Sequence, residues 1–339
     1  MTTVALPTHT REIHLAARPN GAPVATDFAL VERELPELTD GQILVRNTWM
    51  SVDPYMRGRM DDKPSYIPPF ELGAALEGSA LGEVIASRSA DIAVGTTVSH
   101  FAGWREHAVL DAATATPVDL ELAAPQHYLG ALGTTGLTAY AALTEVARVE
   151  PGDTVFVSAA AGAVGSVAGQ LAKALGAKRV IGSAGGPVKT RKLLEEFGFD
   201  AAIDYRAGDL AGQLTAAAPD GVDVYLDNVG GEHLKVAIEA LNQHGRIALV
   251  GAISGYNGTT SEHTPDLYLA TTKEATLRGM LVTSHLPRFA EYIPKAAAWI
   301  ADGTLRTTET VYESLDQAPA AFLGVLTGAN TGKMLVRLP

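Results

Sequence analysis

From about residue 150 onward, short apolar runs alternate with stretches of helical periodicity. The runs over 155–157, 179–183, 201–204, 222–229, 245–251 and 275–282 are short, largely apolar, and bounded by glycine or other turn residues. Continuous short runs of this kind predict strands buried on both faces. Between them lie an Ala-rich amphipathic segment ending near Leu175 and a helical pattern from about Glu232 to Leu241. Strands alternating with helices at this spacing predict an α/β domain with a doubly wound parallel sheet. The region from about Thr10 to Gln126 reads differently. Its runs over 41–46, 82–85 and 97–101 alternate or stay apolar between glycine and proline punctuation, and helical periodicity is scarce. That half predicts a β-rich domain.

The first parallel strand leads into a glycine-bearing turn that opens directly into a helix. The dinucleotide fingerprint G-x-G-x-x-G reads here Ala160-x-Gly162-x-x-Gly165. The turn must be tight, the backbone at Gly162 and Gly165 is expected to approach a pyrophosphate, and the first helical amides donate to it. An NAD-selective site would end the second strand on a carboxylate for the ribose 2′-OH. Here that strand ends at Ser183 and Ala184-Gly185-Gly186 follow, with no carboxylate before Glu195 and with Lys189, Arg191 and Lys192 in the next helix. Cations and hydroxyls suit a 2′-phosphate, so the pattern points to NADP(H), with Lys189 as the phosphate contact and Ser183 and Tyr205 as hydroxyl donors. An ordinary solvated helix face accounts for the same cations. Ligands of such sheets bind at strand carboxyl ends, which makes Asn228 and the segment 251–256 candidate contacts.

Composition narrows the partners. A chain of 339 residues suits two domains, each able to bury its own core. The net charge of −12 argues against nucleic acid or an anionic membrane as the main partner. No apolar run has transmembrane length and no secretory leader pattern opens the chain, so a cytoplasmic location is the default expectation. The chain has no cysteine, which excludes disulfides, thiolate nucleophiles and Cys-containing zinc sites. Its nine histidines never stand at H-x-x-x-H spacing, and the expectation is no metal.

Several segments then carry a resemblance: Ser51-Val-Asp-Pro-Tyr-Met-Arg57, Leu132-Gly-Thr-Thr-Gly-Leu-Thr-Ala-Tyr140, Ala159-Ala-Ala-Gly-Ala-Val-Gly-Ser166, Asp227-Asn-Val-Gly-Gly231, Gly251-Ala-Ile-Ser-Gly-Tyr-Asn257 and Gly328-Ala-Asn-Thr-Gly-Lys333. Through nearly the whole chain it resembles the zinc-independent medium-chain dehydrogenases/reductases of the leukotriene B4 12-hydroxydehydrogenase/prostaglandin reductase, alkenal double-bond reductase and curcumin reductase branch. The resemblance implies a GroES-like β-rich barrel (residues 1–126 and 305–339) and an inserted Rossmann NADP(H)-binding domain (127–304), with the active site in the cleft between them. It also implies NADPH-dependent reduction of the C=C bond of α,β-unsaturated ketones and aldehydes, and a homodimer. By motif, Gly162, Ala163, Val164, Gly165 and Ser166 cradle the pyrophosphate, while Lys189 and Tyr205 hold the 2′-phosphate. Asn228, Val250, Gly251, Ala252, Ile253, Ser254, Tyr256, Met280, Leu281, Val282 and Asn330 line the rest of the cofactor.

In that chemistry hydride reaches the β-carbon, an enolate develops and the α-carbon is protonated. Without a metal, a hydroxyl is the expected oxyanion donor. Tyr256 is assigned to it, although a role in packing the cofactor fits the same position. Tyr55 lines the substrate side or packs the barrel. The chain departs from the branch where a Met-Pro pair becomes Thr134-Thr135, a change expected to loosen that loop, and where Gly255 precedes Tyr256. Quinone reduction on the same fold, and cofactor binding without turnover, are the competing readings.

Overall fold

The computed structural model describes residues 5–258 and 263–339. The chain divides into two compact units, one of Met1–Leu129, Glu309–Asn330 and Met334–Pro339, the other of Gly130–Thr308 and Thr331–Lys333.

The first unit is built on strands. They are β1 (His9–Leu15), β2 (Phe28–Glu34), β3 (Gln42–Ser51), β4 (Ala80–Ser87), β5 (Thr97–His100), β6 (His107–Asp111) and β7 (Thr116–Pro117), with short helical turns between them, among them α1 (Met56–Arg59). β1 and β2 form an antiparallel pair, and β3 lies at the centre of a larger sheet, paired with β4 and β6. Ile43, Leu44 and Val45 of β3 are all buried. The core gathers on Trp104, stacked on Phe28 at 6.2 Å and met edge-on by Phe322 at 6.1 Å. Aromatic pairs in these geometries add to plain area burial.

The second unit carries the predicted alternation. Its elements are α2 (Thr134–Ala141), β8 (Thr154–Val157), α3 (Ala163–Ala174), β9 (Arg179–Ala184), α4 (Pro187–Glu195), β10 (Ala201–Asp204), α5 (Leu210–Ala217), β11 (Val222–Asp227), α6 (Gly231–Ala240), β12 (Leu241–Leu249), α7 (Leu267–Thr272), β13 (Thr276–Gly279) and α8 (Phe289–Ala301). The chain returns to the first unit with β14 (Glu309–Glu313), α9 (Ala318–Leu326) and β15 (Lys333–Arg337), the last pairing with β3. The second unit's sheet has the order β10-β9-β8-β11-β12-β13, every pairing parallel. All four residues of β8 are buried, as a strand covered by helices on both faces must be. The strand order reverses between β8 and β11, so a crevice opens at their carboxyl ends.

Three elements differ from the sequence expectation. The fourth strand stops at Asp227 instead of Val229, because the Asp227 carboxylate accepts from the amides of Val229 and Gly230 and bends the chain. The sixth stops at Gly279, and a 3-10 turn begins at Val282 and contains Pro287. The fifth starts earlier, at Leu241, and passes through His244 at a φ of 62°. Apolar runs do not distinguish a strand from the turn that follows it, and polar Asn242 and Gln243 hid the start of β12.

The Thr134-Thr135 departure does not leave a loose loop. Thr134 opens α2, Thr135 Oγ1 donates to Gly130 O at 2.9 Å, and Thr138 Oγ1 donates to Thr134 O at 2.7 Å. A hydrogen bond takes over the constraint a proline ring would supply. Gly136 is required there, since a Cβ would stand 1.9 Å from Ala131 O.

Candidate cofactor and active site

The phosphate turn joins β8 to α3. Ala159 sits at a φ of 47°, a left-handed conformation rarely taken by alanine, and Gly162 caps α3 with extended backbone. Ser166 N donates to Gly162 O at 3.0 Å. The amides of Ala163, Val164 and Gly165 therefore precede the helical ladder and face outward from the helix start. Glycine at 165 has a reason within the turn itself: a Cβ there would lie 2.4 Å from Ala159 O and 2.6 Å from Ala160 Cα. It lets the helix seat on its own turn. At Gly162 a Cβ would meet only Ala159 O, at 3.2 Å, so this glycine leaves the open face of the turn. Residues 331–333 lie beside it, with Gly332 N donating to Ala161 O at 2.7 Å. Asn330 immediately precedes that strip in the chain.

At the carboxyl ends of β9 and β10 the structure gathers cations. Lys189, half-buried in the first turn of α4, has its ammonium pushed down by burial and further by the neighbouring Arg206 guanidinium. Arg206 was not anticipated from the sequence. A Cβ on Gly185 would stand 2.8 Å from both Arg206 Nε and Tyr205 Oη, so glycine is what lets the β9 loop approach this pair. Asp204 Oδ1 fixes both loops by accepting from Gly186 N at 2.8 Å and Arg206 N at 3.0 Å. Lys189, Tyr205 and Arg206 are thus brought together. Two like charges held close disfavour each other, and an anion between them relieves that cost. Ser183 is not part of the group: it is fully buried, and its hydroxyl has no hydrogen-bond partner. The signal for Arg206 was its adjacency to Tyr205, but which strand-end turn lies next to β9 is decided by sheet order.

Asp227 organises the centre of the site. One carboxylate oxygen, Oδ1, accepts from Tyr225 Oη at 2.7 Å, Val229 N at 2.9 Å and Gly230 N at 2.8 Å. Its backbone oxygen accepts from Val250 N and Gly251 N at 2.9 and 3.0 Å, which ties the end of β12 to the end of β11. Asn228 is held on the phosphate-turn side, Nδ2 donating to Ser158 O at 2.7 Å and its backbone N to Ser158 Oγ at 2.9 Å. Ile253 N and Ser254 N reach back to Asn228 O and Val229 O.

The loop that follows carries Tyr256. A cavity of about 490 Å³ at the ends of β11, β12 and β13 is lined by Asp227, Gly230, Leu234, Leu249, Val250, Gly251, Ala252, Tyr256, Gly279, Met280 and Leu281. Its wall is mainly apolar. Tyr256 Oη lies over the Gly251 backbone and accepts weakly from Ala252 N at 3.4 Å. Burial raises this phenol above its ordinary range, so it stays protonated near neutrality. Val282 begins the 3-10 turn just beyond the cavity residues Met280 and Leu281. Among the described residues, no group of three His, Cys, Asp or Glu side chains is arranged to hold a metal.

Tyr55 belongs to the first unit, where it precedes α1 and packs against the core around Trp104. Its hydroxyl is buried without a hydrogen-bond partner, and burial together with the nearby Asp53 charge drives its ionisation far above the ordinary tyrosine range.

Comparison with known proteins decides the family. Residues 11–118 match the family model described as the N-terminal domain of oxidoreductase, and residues 163–302 match the one described as zinc-binding dehydrogenase. This chain belongs to the medium-chain dehydrogenases/reductases. Within that family it is 41% identical over 336 residues to a Bacillus subtilis protein named as an NADP-dependent oxidoreductase, with 97% of each chain covered. It is 36% identical over 330 residues to the NADPH-dependent curcumin reductase of Escherichia coli, covering 96% of this chain and 95% of the relative. The structure of CurA from Vibrio vulnificus in complex with NADPH superposes with a TM-score of 0.92 at 37% identity, over 97% of this chain and 99% of that one. The medium-chain dehydrogenase/reductase fold expected from the motifs is therefore the fold observed, a mixed-sheet N-terminal unit with a Rossmann-type parallel sheet.

Proposed function

We propose that this protein is an NADPH-dependent ene reductase that saturates the C=C bond of α,β-unsaturated ketones and aldehydes. The observation that carries the reading is the Tyr256 phenol, a neutral hydroxyl on the wall of a mainly apolar cavity that suits the nicotinamide end of the cofactor with an uncharged enone against it. The residues present fit the dinucleotide. The amides of Ala163, Val164 and Gly165 with Ser166 would take its pyrophosphate, Lys189, Tyr205 and Arg206 its 2′-phosphate, and Asn228 and residues 250–254 its remaining ribose and ring. Met280, Leu281, Val282 and Asn330 are retained as cofactor contacts, and fully buried Ser183 is not.

When bound, the cofactor supplies the hydride. What the chain's own residues contribute is position and electrostatics. Tyr256 donates its O–H toward the carbonyl oxygen as negative charge grows there, and the apolar wall excludes water that would weaken that bond. Asp227, through Asn228 and Val229, ties the phosphate turn to the Tyr256 loop, so the pyrophosphate and the reacting end of the dinucleotide would meet one frame. Tyr55, with an unpaired buried hydroxyl, is assigned to substrate contact, because an orphan of that kind costs about 1–3 kcal/mol unless a ligand satisfies it. A homodimer and a cytoplasmic setting belong to the same reading.

The test follows absorbance at 340 nm with NADPH or NADH against an alkyl enone, a 2-alkenal, a diarylheptanoid dienone and a quinone. Enone turnover to the saturated ketone with NADPH preferred is the expected result. Tyr256→Phe should lower kcat/KM about tenfold to a hundredfold with little change in NADPH affinity. Turnover with quinone alone overturns the ene-reductase assignment, and saturable NADPH binding without any turnover favours a non-catalytic binding protein.

A further inference from the structure

Beside the Lys189–Arg206 group lies a second cavity of about 330 Å³, whose lining includes Tyr205, Val229, Gly230, His233 and Ser254. His233 stands in the first turn of α6 and is 6% exposed. Its ring meets Tyr205 edge-to-face, with centroids 5.5 Å apart. Its Nε2 is buried and has no hydrogen-bond partner. Burial pushes the imidazole down to about 4, so at neutral pH the ring is uncharged and carries one donor and one acceptor. A polar atom buried without a partner is costly and calls for an explanation.

Ribose chemistry supplies one. The 2′-phosphate and the base are attached to adjacent ribose carbons. A phosphate seated on Lys189, Tyr205 and Arg206 therefore leaves its base within a few ångströms of Tyr205, and the cavity that starts at Tyr205 is the room available. We propose that His233 is a specificity residue for the base of the dinucleotide, making one hydrogen bond from its imidazole to the edge of the adenine held in this cavity. This rests on the NADPH reading above. Nothing in the sequence motif marked it, since His233 lies just beyond Gly230-Gly231 on the helix that follows β11, and meets Tyr205, which follows β10, only in the folded chain.

The experiment uses the full chain, with adenosine 2′,5′-bisphosphate as the probe and inorganic phosphate as the base-free control. In protein labelled with 15N-histidine, the bisphosphate should shift the His233 ring nitrogens, and phosphate should leave them in place. His233→Phe keeps the ring against Tyr205 but removes the polar nitrogen. It should weaken the bisphosphate about fivefold to tenfold, and His233→Gln should recover most of that loss. Unshifted ring nitrogens on saturation with the bisphosphate overturn the proposal whether or not either variant folds. So does a His233→Phe protein that binds the bisphosphate as tightly as the parent. If the parent binds neither the bisphosphate nor NADPH, the cofactor reading itself is wrong; binding of both without a His233 response removes only this inference.

Discussion

The phosphate turn after β8 and the Tyr256 loop after β12 both leave the carboxyl end of a parallel strand in the same sheet, yet they are built in opposite ways. The first is close-packed: Ala159 is held at positive φ, and Gly165 and Gly169 have no space for a Cβ, which would lie 2.4 Å from Ala159 O and 2.0 Å from the Phe199 ring respectively. The second is open. Ala252, Ser254 and Gly255 are exposed, and nothing lies within 4 Å of a Cβ on Gly255. A phosphate always presents the same tetrahedral anion, so a fixed cradle binds it at no adjustment cost. A reacting end must admit substrates of different shape, and a loop with room around it does so. Rigidity is placed where the ligand is constant.

Three variants sharpen or break this contrast. Gly165→Val should have the largest effect, since the side chain is driven into backbone and not into a movable side chain. We expect a loss of about 3 kcal/mol in unfolding free energy by denaturant titration, with cofactor binding lost as well. An unchanged midpoint would mean that the turn is not close-packed. Next in size, Lys189→Ala combined with Arg206→Ala should raise the NADPH dissociation constant about a hundredfold at low salt and leave NADH within about twofold. An equal loss for both cofactors would remove the 2′-phosphate from this group. The smallest effect belongs to Gly255→Ala. With open space and no positive φ to satisfy, stability should move by less than about 0.5 kcal/mol and the kinetic constants should stay close to the parent's.

The pH dependence has a definite sign. Burial raises the Tyr256 phenol, so its protonated donor form persists upward through pH 10, the ordinary value for a free tyrosine, which is about 10. The same shift contributes folding stability that is fully present below about pH 10 and is lost as pH rises through the higher folded-state value. A kcat/KM profile that falls on the alkaline side near pH 8 would assign the donor to another group.

Much of this was legible in the chain because it depends on local pattern. Strand and helix alternation, the Ala160-x-Gly162-x-x-Gly165 turn, the missing acid after Ser183 and the presence of Lys189 are all readable within a few residues of one another. Burial was not. Ser183 and Lys189 are only six residues apart, and one is fully buried while the other is half-exposed. Gly165 was legible as a required glycine, but the clash that requires it involves the turn's own backbone and is seen only when the helix is seated. Arg206 and His233 were not legible, because each matters through its contact with a residue from another strand-end turn, and that adjacency is a property of the sheet order β10-β9-β8-β11. The sequence by itself determined the elements, the cofactor class they suit and the family. Only the tertiary structure decided which charges meet, which hydroxyls are buried and which polar atoms are left without partners, because those depend on distances between segments that the chain brings together only by folding.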